Sequence, residues 1–92
     1  MGRVGKGILD LLRMGMPEGV TYSNLPIVEL AGEGRVLIEH HQGVVAYSLE
    51  EIRIRVSYGS VLISGNGLKI SEMRRMQLIV VGKIDKIILE RR

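Results

Sequence analysis

Residues 51–58 read "EIRIRVSY". Ile52, Ile54, Val56 and Tyr58 alternate with Arg53, Arg55 and Ser57. Successive side chains of a strand point to opposite sides, so this stretch presents one apolar face and one polar face. That is the pattern of an antiparallel strand buried on one side. The fold follows from how many similar stretches surround it. Apolar runs punctuated by glycine predict strands near 26–31, 35–39, 43–48, 60–64, 67–70, 77–81 and 83–90. "YGS" at 58–60 and "GNG" at 65–67 read as tight turns, because Gly and Asn tolerate positive φ. Gln42-Gly43 reads as a hairpin turn between 35–39 and 43–48. Ser48 and Glu51 have capping-box spacing, which suggests a single helical turn. In the last stretch the alternation fails around Asp85-Lys86, and a β-bulge there would restore the inward face.

The expectation is an all-β domain. It is a small antiparallel meander of about seven or eight short strands, closed as a sandwich or rolled sheet. "VLI" at 36–38 returns at 61–63, and Gly43, Ile52, Ile54 and Val56 map onto Gly67, Met76, Leu78 and Val80. This repeat keeps a short β-solenoid-like stack as the alternative. Upstream, Val4, Ile8, Leu11 and Leu12 share one side of a helical wheel, and Gly15 and Pro17 end that pattern. An N-terminal amphipathic helix over 1–16 and one β domain over 17–92 result. A helix this short is marginal alone, so its stripe is a candidate docking surface, for its own sheet or for a partner.

Composition narrows the function. The chain has 92 residues and 46% hydrophobic content, yet no Phe, Trp or Cys. Without cysteine there is no disulfide, no thiolate zinc site and no Cys nucleophile, which suits a reducing compartment. No apolar run approaches the ~20 residues of a membrane span, and no signal-peptide pattern is present. The net charge of +3 is uneven, −1 over residues 1–46 and +4 over 47–92. A basic second half permits an acidic partner.

Both histidines lie in "IEHHQGVV", residues 38–45. Neighbours on a strand diverge, so His40 and His41 do not easily grip one ion; Glu39 would share a face with His41, but no other histidine or cysteine exists to complete a zinc site. A Glu39–His41 hydrogen bond would orient the imidazole as a structural element. No nucleophile elbow, phosphate loop or paired-acid motif occurs, and the expectation is a protein without catalytic activity, metal, cofactor or small-molecule substrate. Arg53 with Arg55, and Arg74 with Arg75, keep single-stranded nucleic acid as an alternative partner. Three tyrosines are a poor stacking platform, which disfavours it. An interaction module, self-associating or docking on another protein, is the class that remains.

One resemblance goes further. "NLPIVELAGEGRVLIEHHQGVVAYSLEEIRIRV", then "GSVLISGNGLKISEM" and "VGKIDKIIL", resembles the YabP/YqfC family of sporulation proteins from endospore-forming bacteria. The shared features are Leu25-Pro26, the structural turn with Glu39, His41 and Gly43, the "YS…EI" segment from Tyr47 to Ile52, the segment Gly67–Ile70, and Gly82-Lys83-Ile84. The family pattern has asparagine where this chain has His40. The resemblance implies a mother-cell protein without enzymatic activity. It also implies a sporulation membrane protein as partner, and a cytoplasmic location that extends peripherally to the forespore membrane.

Overall fold

The computed structural model describes residues 25–92. They form six strands: β1 (Ile27–Ala31), β2 (Arg35–Glu39), β3 (Val44–Tyr47), β4 (Glu51–Val56), β5 (Gly59–Met73) and β6 (Gln77–Arg91). All pairings are antiparallel, in one sheet of order β1-β2-β6-β5-β4-β3. No helix occurs among the described residues. The expected helix, its stripe of Val4, Ile8, Leu11 and Leu12, and the boundary at 16/17 lie outside them.

The long hairpin β5–β6 is the spine. The first part of β6 pairs with β2, from Glu39↔Gln77 to Arg35↔Val81. The first part of β5 pairs with β4, from Val56↔Gly59 to Glu51↔Ser64. Each outer hairpin therefore attaches to a different half of the spine. Alternation then selects the core. Val36, Ile38, Ile52, Ile54, Val56, Val61, Ile63, Leu68, Leu78 and Val80 form one buried cluster. Each such side chain contributes about 1.5–3 kcal/mol relative to exposure. Arg53 and Arg55 point the other way, as "EIRIRV" requires.

Several expectations change. The eight short strands become six, because 60–64 joins 67–70 in β5 and 77–81 joins 83–90 in β6. "GNG" does not reverse the chain. It kinks one long strand, with register shifts at Ser64/Gly65 and Asn66/Lys69 and φ 61° at Gly67. Glycine is needed there because a Cβ at Gly65 would collide with the Lys83 carbonyl of β6. At Gly82 (φ 140°) a Cβ would meet the Gly67 carbonyl oxygen at 2.8 Å. The irregular part of the β5–β6 ladder thus needs glycine on both strands. One bent sheet replaces the two layers of a sandwich, and its in-sheet antiparallel ladders also replace the solenoid stack.

The expected bulge in β6 is present. Ser64 pairs with Lys86 while Gly65 pairs with Ile84, so Asp85 is the extra residue. Ile84 and Ile87 consequently both pack on the core. "SLEE" is a capped turn without helix: Ser48 Oγ accepts the N–H of Glu51 at 2.9 Å and of Glu50 at 3.2 Å. The β4–β5 turn falls at Ser57-Tyr58, one step before Gly59.

Candidate functional site

The segment 40–43 joins β2 to β3, which lie on opposite sides of the spine. The expected hairpin between 35–39 and 43–48 is therefore absent, and "HHQG" is a crossover. Backbone bonds stitch it at both ends. His40 N–H donates to Met76 O at 2.6 Å, Gln42 N–H donates to Arg55 O at 2.7 Å, and Arg55 N–H donates to Gly43 O at 2.9 Å. The crossover thus ties the β5–β6 loop to the end of β4. Gly43 has φ 114°, a region that favours glycine, so its place in the motif has a backbone cause.

His41 is buried, with 6% of its surface exposed. Its Nδ1 accepts the N–H of Gly43 at 3.0 Å, and its Nε2 lies 2.9 Å from the carbonyl oxygen of Arg74. A carbonyl only accepts, so Nε2 carries the hydrogen and Nδ1 is the acceptor. Both nitrogens are thereby engaged with backbone groups. The ring cannot bind a metal at Nδ1 without losing the Gly43 bond. The expected Glu39–His41 bond is replaced by these two, because the crossover turns the imidazole toward the β5–β6 loop.

His40 differs. Its φ is 63°, in the left-handed region, and its Nδ1 is buried without a hydrogen-bond partner. A shallow cleft of about 360 Å³ is lined by His40, His41, Gln42, Ser57 and Met76. The strained backbone and unsatisfied nitrogen make this cleft the chemically least settled place near the motif. Ser57 and Met76 came into it from distant parts of the chain, and no local sequence signal links them to the histidines. Among the described residues, no group of three or more His, Cys, Asp or Glu is placed to hold a metal ion. Among the same residues, no helix is long and apolar enough to cross a membrane.

The remaining motif positions are structural in placement. Leu25 and Pro26 are half-buried and lead into β1, where a proline costs no ladder bond. Glu39 closes β2 opposite Ile27 and Gln77. Gly82, Lys83 and Ile84 carry β6 past the end of β2, with Gly82 N–H donating to Gly34 O at 3.1 Å and Ile84 N–H to Glu33 O at 3.2 Å. Of the basic pairs, Arg53 reaches across β5 to Glu90: Nε donates to Oε1 at 2.9 Å and Nη2 to Oε2 at 3.3 Å. The Glu90 carboxylate, by hydrogen bond and then by charge, holds that guanidinium above its usual range. Arg74 pairs with Glu72. Arg55 and Arg75 are exposed.

The YabP family model matches residues 24–92. A relative, the uncharacterized protein YqfC of Bacillus subtilis (strain 168), is 28% identical over 64 residues, covering 70% of this chain and 69% of its own. None of the solved structures matches. The matched span contains all six strands, the crossover and the β6 bend, and the chain belongs to the YabP family.

Proposed function

We propose that this chain is a non-catalytic docking module of spore formation, acting in the mother cell beside a membrane protein at the forespore surface. Family membership supports the process. The single observation that supports docking is the outer strand β3 and the turn after it. Val45 and Tyr47 are 49% and 54% exposed on β3, which has no further partner among the described residues, and Leu49 in the following turn is 68% exposed. Exposed apolar side chains on an unpaired edge fit strand addition to a partner. The stripe of Val4, Ile8, Leu11 and Leu12 is a second surface for the same partner.

The test is recovery of the tagged chain from sporulating cells with the membrane fraction solubilised. One integral membrane protein should co-purify and be lost in Val45→Lys/Tyr47→Lys or in Ile8→Asp/Leu12→Asp. Recovery unchanged in both variants would overturn the docking surfaces. The alternative, a basic β domain for single-stranded nucleic acid, predicts oligonucleotide affinity that falls steeply with salt. The docking module predicts none.

A further inference from the structure

β2 leaves β6 at Arg35↔Val81, and the last bond on that side is Ile84 N–H to Glu33 O. From Asp85 to Arg91 the outer edge of β6 has no strand beside it among the described residues. Its side chains are unusually apolar for an open edge. Ile88 is 40% exposed and Leu89 54%. The direction of its free backbone groups is fixed at the end of the ladder. Arg92 N–H donates to Tyr58 O at 3.0 Å, so by alternation Glu90, Ile88 and Lys86 bond to β5. Ile87, Leu89 and Arg91 therefore turn their N–H and C=O groups outward.

We infer that this edge pairs with the same edge of a second copy of the chain, antiparallel, with the two-fold axis at Ile88. The sequence "DKIILER", residues 85–91, is self-complementary about that point. Ile88 faces its own symmetry mate. Ile87 and Leu89, both outward in their backbone groups, exchange bonds across the axis. Lys86 faces Glu90 of the second copy, and Asp85 faces Arg91 at the flank. An axis at Ile87 sets Lys86 against Ile88 and Asp85 against Leu89. An axis at Leu89 sets Lys86 against Arg92. Only the Ile88 register satisfies both the backbone directions and the charges. In it Glu90 lies between Arg53 of its own chain, 2.9 Å away, and Lys86 of the second copy.

The test is the molar mass of the purified full chain by light scattering and sedimentation. The expected mass is twice the 10.2 kDa of one chain. Lys86→Glu should give monomers, whereas Lys86→Arg, which keeps the charge opposite Glu90 and leaves the Arg53–Glu90 pair intact, should remain dimeric. Ile88→Cys supplies an independent readout, since the chain has no cysteine of its own. Paired residues at such a site lie about 4.5 Å apart at Cα, within disulfide range. Mild oxidation should link Ile88→Cys chains efficiently and Lys86→Cys chains poorly. A monomeric wild type at high micromolar concentration overturns the inference, as when residues 1–24 or another protein's strand occupy the edge. So does a dimer indifferent to Lys86→Glu, or equal cross-linking at both cysteine positions.

Discussion

Replacing His40 by asparagine should make the protein more stable. A residue with a Cβ held in the left-handed region costs roughly 1–2 kcal/mol, and asparagine is among the few that adopt it readily. His40 has φ 63° and is pinned there by the 2.6 Å bond from its N–H to Met76 O. Its buried, unpartnered Nδ1 adds a desolvation cost of about 1 kcal/mol, taken at the low end because the residue is only half-buried. Against these gains stands the loss of imidazole packing beside Met76, about 1 kcal/mol for the apolar area involved. The net expectation for His40→Asn is a gain of about 1 kcal/mol, or a rise in Tm of about 4–8 °C for a domain of this size. Thermal unfolding followed by circular dichroism measures it. His40→Ala keeps the backbone cost and should gain less, and His40→Val should lose more than 1 kcal/mol. If His40→Asn lowers Tm, the strain argument is wrong and the imidazole makes a contact that matters more than its backbone.

Two glycines should fail for different reasons. Gly65→Ala drives a methyl into the Lys83 carbonyl, and β5 and β6 must separate, so urea unfolding should show a loss of about 3 kcal/mol or more. A Cβ at Gly43 meets no atom within 4 Å, so Gly43→Ala carries chiefly the strain of φ 114°; its loss should be smaller, about 1–2 kcal/mol, and equal losses would refute this contrast. Burial pushes the Tyr58 phenol above its usual value, against a smaller opposing pull from Arg91. The folded state then holds that proton more tightly. The stability it contributes is complete below pH ~10 and falls as pH rises through the folded value. Chemical unfolding from pH 8 to 11 should show Tyr58→Phe with a flatter alkaline decline than wild type. Breaking the Arg53–Glu90 pair by Glu90→Gln should weaken the chain more at low salt than at high salt, and a salt-independent effect would show that packing, not charge, is what was lost.

The alternation of "EIRIRV" was sufficient to identify a one-sided strand and its three core residues, because period two needs no distant information. The broken alternation at Asp85 likewise located a real bulge. The glycine segments misled. "GNG" has turn composition, but whether glycine serves a reversal or a close approach depends on what lies opposite, and Lys83 is distant in sequence. The hairpin inferred at Gln42-Gly43 failed similarly: local spacing cannot show that β2 finds its partner in β6. For the candidate site, the glycine-favouring backbone at Gly43 was readable, whereas His41's partner at Arg74 and the cleft wall at Ser57 and Met76 were not. They exist only after the sheet has formed.

That dependence bears on how the protein is made. The first two hairpins have no bonds to each other in the ladder, and β2 must wait for a strand roughly 40 residues downstream. During synthesis each emerges with its inner edge unsatisfied, and only the arrival of the β5–β6 hairpin joins them. A stop codon before the β2-pairing segment Gln77–Val81 of β6 therefore does not shorten the domain; it leaves β1–β2 and β3–β4–β5 with no ladder between them. Such lesions late in the reading frame should be as damaging as early ones, with the product found in proteolytic debris or inclusion bodies in place of a trimmed, folded chain.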